Sequence, residues 1–253
     1  MTEKWIRFTQ HFTFAAAFLI LLPCPGIVWG SGSEAPKAID LFNGENLDGW
    51  HGLQEKHEWL VAKNVSVSKK DKKAFEIEPG KGILVNGAKG NTSNLLSKHE
   101  HGDCYLHIEF TIPYESNSGV YFQGLYEIQV FDSYNKKEVE FSDCGGIYAR
   151  YKDDKTYEGH PPRVNASKAP GEWQSYDAIF RAPRFNEKGE KIESARFIAV
   201  IHNGVLVHTD VELTGSTRAS LDKPEAPKGP LMLQGDHGPV AYRNIRLVPL
   251  SLK

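Results

Sequence analysis

From Ile39 onward, short runs of apolar and polar residues are separated by Gly, Pro, Asn and Asp, and no stretch keeps the apolar spacing of a helix. Residues 105–112 alternate residue by residue, which predicts a strand with one buried face. Two further strands are predicted at 119–124 and 126–131, joined tightly around Gly124. Strands at 175–181, 196–202 and 205–211 follow. The last two meet at Asn203-Gly204, the strongest two-residue hairpin signal. Segments 231–234 and 241–249 close the series. Many short strands with turn residues between them, and no internal repeat, predict an all-β fold, a two-sheet antiparallel jelly-roll sandwich. One stretch breaks the rhythm. Residues 135–170 are polar and contain Gly and Pro, and loops beyond roughly 12–15 residues are often functional. This segment is expected to wall a groove beside 126–131; a disordered insertion is the alternative.

The first thirty residues differ in kind. Lys4 and Arg7 precede an apolar run over 12–22, shorter than the roughly 20 residues that span a bilayer. A basic start, a short apolar centre and small residues up to Gly30 are the order of a secretory leader. The expected organisation is a leader over 1–30, a linker over 31–38 and a single domain over 39–253. The protein is then exported, to the periplasm or beyond the cell, with no stable membrane insertion after cleavage; an N-terminal anchor is the other reading. The net charge of −2 and the absence of a basic stripe argue against nucleic acid as a partner. Cys104 and Cys144 remain after cleavage, either as a disulfide, which export favours, or as buried thiols.

Alternation also sorts the chemistry. Along 126–131, Tyr126, Ile128 and Val130 claim the core, so Glu127 and Gln129 share the opposite face. Val120 and Phe122 match the core side, which puts Tyr121 and Gln123 beside them. Amides, a carboxylate and an aromatic ring on one sheet face suit the hydroxyls and C–H faces of a sugar; an ordinary solvated face is the plain alternative. The spacing Glu127-x-Gln129-x-x-Asp132 resembles the bulged catalytic strand of laminarinase-like retaining glycosidases. There, two carboxyls must stand about 5–5.5 Å apart, and the amide and the short acid here fit that poorly. A second cluster, Gln234-Gly235-Asp236-His237-Gly238, lies between two strands. A His beside an Asp in such a turn can move protons, and the glycines let backbone approach a ligand; a self-capped turn is the bland reading. Trp50 and Trp173 are read as core anchors ahead of sugar platforms. Arg243 is expected to share a strand face with Ile245 and Leu247 and to pair with a carboxylate.

Several segments together resemble the 3-keto-disaccharide hydrolase family. They are Leu41-Phe42-Asn43-Gly44 through Gly49-Trp50, Asn117-Ser118-Gly119-Val120-Tyr121-Phe122, Tyr126-Glu127-Ile128-Gln129, Val164-Asn165-Ala166-Ser167 with Gly171-Glu172-Trp173, and Leu233 to Gly238 with Arg243-Asn244-Ile245. Gly235 is an extra residue against the commoner Gln-Asp-His-Gly form. The resemblance implies a concanavalin A-like fold and cleavage of glycosides already oxidised to a ketone at C3. Alternation and the resemblance together predict catalytic roles for His237, Glu127 and Asp236, and substrate contacts for Gln123, Gln129, Tyr121, Asp132, Gln234 and Asn117. No cofactor is demanded, although a divalent metal held by Glu127, Asp132 or His237 could polarise the ketone. The expected partner is an oligosaccharide or glycoside. A non-catalytic carbohydrate-binding module and a conventional retaining glucanase are the alternatives.

Overall fold

The computed structural model describes residues 36–253, so the leader expected over 1–30 lies outside the described residues. Among these there is no helix, and seventeen strands carry the fold. The larger sheet runs β15 (Val205–Leu213), β14 (Ala195–His202), β11 (Gln174–Arg181), β6 (Cys104–Thr111), β17 (Ala241–Pro249), β4 (Phe75–Val85) and β3 (Leu60–Val67), with β1 (Ile39–Asp40) also on β17. The smaller runs β2 (Trp50–Gly52), β5 (Leu95–His101), β16 (Gly229–Leu233), β7 (Asn117–Phe122) and β8 (Tyr126–Phe131). Two small ribbons, β9 (Arg150–Lys152) with β10 (Lys155–Tyr157) and β12 (Arg184–Phe185) with β13 (Lys191–Glu193), are separate. All pairings are antiparallel, as a jelly-roll sandwich requires.

The inward residues of both sheets form one core. Val120, Phe122, Tyr126, Ile128 and Val130 meet Leu106, Ile108, Phe110, Tyr176, Phe180 and Phe197. Phe122 sits 5.2 Å from Phe180 and 5.0 Å from Phe197, ring centre to ring centre. Such aromatic pairs add about 0.5–1.5 kcal/mol each beyond the area they bury. The hairpin at Asn203-Gly204 forms as expected, both residues with positive φ (51° and 79°), the backbone a two-residue turn needs. Trp50 is a core residue.

Two expectations are corrected, and one open alternative is decided. Strand β7 ends at Phe122, so Gln123 is not on the polar face; it turns the chain with φ of 54°. Arg243 does not share a face with Ile245 and Leu247. Asn244 takes φ of 51° and interrupts the register between Arg243 and Arg246, so Ile245 and Leu247 face the core while Arg243 faces outward and bonds Glu109 at 2.7 Å. Cys104 and Cys144 are free and buried. Cys104 pairs across to Phe180 and Cys144 touches the Tyr176 hydroxyl at 3.1 Å, four residues apart on β11, or about 13 Å, too far for a bridge.

Candidate active site

The two sheets treat their outward faces differently. β6 and β11 alternate buried and half-buried residues, whereas β7, β8 and β16 are buried almost throughout. The outward face of the smaller sheet is therefore covered. Part of the cover is the stretch 218–221, where the Arg218 carbonyl accepts from Tyr121 and Leu221 packs on Leu96, Tyr121 and Met232; the polar segment 135–170 borders it. Gly145 and Gly146 bond both backbone groups of Gln129, and the Tyr148 amide donates to the Glu127 carbonyl at 3.2 Å, so this stretch lies along the free edge of β8. Tyr148 stands there with its ring edge-on to Phe141 at 5.4 Å.

Beneath that cover lies a polar patch. Tyr121 pairs with Glu127, Gly119 with Gln129, and Met232 with Tyr121, so these side chains share one face. Gly119 is required: a Cβ there would collide with the Glu127 carboxyl and the Tyr121 ring. Glu127 is 3% exposed, and the hydrogen-bonding neighbour of its carboxyl is the Tyr121 phenol. Burial pushes this carboxyl up to about 8; the Tyr121 phenol opposes the rise and the charge of Asp236 adds to it. The Tyr121 hydroxyl has one proton for two acceptors, the Arg218 carbonyl at a long 3.3 Å and the Glu127 carboxyl. Burial, then Glu127, hold the Tyr121 phenol well above its ordinary range. Gln129 is buried too, and its Oε1 accepts from the Val130 amide at 3.0 Å, so its NH2 is the end left for a ligand. The Oδ1 of Asn117 is buried without a partner, two residues before Gly119 on the same face.

Asp236 and His237 reach this patch from the turn after β16. Both side chains are about half exposed, and His237 Nδ1 lies 2.6 Å from Asp236 Oδ1. Gln234 Nε2 is also 3.3 Å from Nδ1, but one nitrogen cannot donate to Asp236 and accept from Gln234; the shorter, charge-assisted contact decides, and Nδ1 carries the proton. Nε2 then presents a free lone pair. Asp236 acts electrostatically on both Glu127 and Tyr121, so the turn and the patch form one site.

Two of the expected residues lie elsewhere. Asp132 follows the end of β8 and caps backbone, accepting from the Glu115 amide at 2.9 Å. Gln123 is at the far end of β7, where its amide donates to the His101 and Pro227 carbonyls, both at 3.2 Å. A cavity of about 480 Å³ opens at that end, lined by His101, Pro183, Phe185, Lys228 and Pro249, away from the Asp236-His237 turn. Tyr148, Gly119 and the residues that brace the turn were not singled out from sequence. Gly119 alone carried a signal, since glycine inside a strand marks a close approach. Among the described residues, no three His, Cys, Asp or Glu side chains gather as metal ligands, and no helix is long and apolar enough to cross a membrane.

A solved structure of a related sequence agrees with this architecture. A candidate glycosyl hydrolase from Parabacteroides distasonis ATCC 8503 is 31% identical, with 84% of each chain covered and a TM-score of 0.60. A second such protein from the same organism is 17% identical, covering 85% of this chain and 94% of its own at a TM-score of 0.49. The carbohydrate-binding module CBM66 of Bacillus subtilis is 11% identical, covering 81% and 96% at 0.42. No curated protein matches the sequence. The family model of the 3-keto-alpha-glucoside-1,2-lyase-like domain matches residues 37–248, and the chain belongs to that family.

Proposed function

We propose that the protein cleaves glycosides whose sugar carries a ketone at C3, by removing the C2 hydrogen and expelling the aglycone from C1. The observation that carries this reading is Glu127: a buried carboxyl that among the described residues has no cationic partner and only the Tyr121 phenol to bond it, pushed up to about 8, on a face shared with Tyr121, Gln129 and Met232. A carboxyl kept protonated near neutral pH is an acid for a leaving group. His237, with Nδ1 committed to Asp236, is the base.

The ketone acidifies the C2 hydrogen. His237 Nε2 takes that proton, and the electron pair moves into an enolate across C2 and C3. The Gln129 NH2 is poised to bond the enolate oxygen. As the C3 carbonyl re-forms, a C1–C2 double bond forms, the C1–oxygen bond breaks, and Glu127 gives its proton to the departing oxygen. Water then adds at C1, its proton passing to the Glu127 carboxylate, while His237 returns a proton to C2. The same site explains why a retaining glucanase fits less well: Asp236 is engaged by His237 and Asp132 by backbone, so Glu127 lacks a free carboxylate partner. A binding module would have no use for a buried carboxyl held protonated beside a His-Asp pair.

The test is incubation with a 3-keto-glucoside beside its unoxidised parent. Cleavage of the keto form alone is expected. Binding of both without turnover selects the module, and cleavage of the unoxidised sugar selects the glucanase. Export is part of the proposal, on the strength of Lys4, Arg7 and the apolar run after them; the mature chain is expected to begin at Ser31, read by N-terminal sequencing.

A further inference from the structure

We propose that the connection from β4 to β5, residues 86–94, is a positioning device for the Asp236-His237 pair, with Asn86 as its principal anchor. The inference rests on the reading above for the importance of that pair, and on geometry alone for the device. Asn86 is 0% exposed, and its whole amide is spent on one turn. Nδ2 donates to the Gly235 carbonyl at 3.0 Å and to the Gly238 carbonyl at 2.9 Å, and Oδ1 accepts from the Val240 amide at 2.8 Å. The Asn86 backbone amide adds a bond to the Val240 carbonyl at 3.3 Å.

The other end of the connection grips the same turn. Asn94 Oδ1 accepts from the Gly235 amide at 2.9 Å, and the Thr92 amide donates to the Gly235 carbonyl at 3.0 Å. Gly90, at φ of 64°, lies against the Gly238 backbone so closely that a Cβ would overlap it. From the opposite side, the Ser116 hydroxyl donates to the Pro239 carbonyl at 2.6 Å. The turn is thus held at Gly235, before Asp236, and at Gly238 to Val240, after His237. The two residues between are half exposed and free to meet a ligand, while their backbone is fixed on both flanks. A side chain that both donates and accepts is needed at 86, because the turn presents two carbonyls and an amide; aspartate offers no donors when ionised.

A misplacement of about 1 Å in a proton-transfer group can lower turnover on the order of 10²-fold. Asn86→Asp is therefore expected to lower kcat on a 3-keto-glucoside by about that factor, with KM nearly unchanged. Asn94→Ala, which removes the bond to Gly235 and a weak contact of Nδ2 with the Met232 sulfur at a half-buried position, should lower it about tenfold. The second readout is independent of activity: the nitrogen-15 resonance pattern of the His237 ring reports the proton held on Nδ1 by Asp236, and this pattern is expected to collapse in Asn86→Asp and to weaken in Asn94→Ala. Val200→Ala, a core truncation in the larger sheet, serves as a control of comparable destabilisation and should keep both the resonance and the turnover. Folded Asn86→Asp and Asn94→Ala proteins that retain both would overturn the proposal. If Asn86→Asp fails to fold, Asn94→Ala decides by the same two readouts. If the wild-type protein turns over no keto-glycoside, the functional reading fails, and the resonance still tests the device.

Discussion

The outward faces of the two sheets both carry buried or half-buried carboxylates, and they treat them oppositely. On the larger sheet every acid has partners. Tyr105 and His107 bond Asp177 at 2.5 and 2.8 Å, and Arg243 and Asn244 bond Glu109 at 2.7 and 2.8 Å, with the guanidinium also 4.0 Å over the Trp173 ring. Burial alone would raise both acids. For Asp177 the bonds from His107 and Tyr105 outweigh it, for Glu109 those from Asn244 and Arg243, and both carboxyls lie below their usual range. His107 is raised, chiefly by Asp177. On the smaller sheet Glu127 is deeper, has the Tyr121 phenol but no cation beside it, and is pushed the other way. A satisfied network is what a fold does with charges it must carry. A buried acid without a charged partner lowers stability, and Glu127 sits beside a His-Asp pair in a chain of the 3-keto-alpha-glucoside-1,2-lyase-like family.

The contrast can be broken at several points. Glu127→Gln and His237→Ala should each lower turnover of a keto-glycoside by at least about 10²-fold while the protein stays folded; near-full activity in both would put the chemistry elsewhere. Next in size is a pH effect on stability. Glu127 rises from 4.5 to about 8 on folding, so its contribution is fully present below about 4.5 and is lost as pH rises through about 8. The loss is roughly 1.4 kcal/mol per pH unit at most. Glu127→Gln should therefore gain stability over wild type across that window in denaturant titrations, and none at pH 4. Glu109 and Asp177 have the reverse sign: their contribution is present above the ordinary carboxylate range and is lost on acidification. Glu109→Ala should lose roughly 1–2 kcal/mol at pH 7 with kcat unchanged, a combination that would be violated by any large fall in kcat. The smallest effect belongs to Asp132→Ala. It removes a backbone cap worth about 1 kcal/mol and should leave turnover within error.

The fold was legible because period-two alternation and turn residues are local. Strand β8 and the Asn203-Gly204 hairpin follow from a few neighbours each. Glu127, Gln129 and Tyr121 on one face, with Asp236-His237 close by, followed from the same alternation joined to the family resemblance. What failed was local backbone that alternation does not encode. One residue in the left-handed region, Asn244, reversed the face of Arg243, and another, Gln123, ended its strand early. Asp132 looked like a third site acid by spacing, but the strand stops one residue before it. The hold of Asn86 on the turn spans 149 to 154 residues of sequence, a distance at which no pattern in a single chain gives a signal.

The account turns on the protonation of one carboxyl. The direct measurement is a carbon-13 titration of the protein labelled at glutamate side-chain carboxyls, with Glu127→Gln used to assign the resonance. The expected result is a carboxyl titrating near 8 in the wild-type protein and missing from the variant. A Glu127 resonance with its midpoint near 4.5 would contradict the account, because an acid ionised throughout the neutral range could not protonate the departing oxygen.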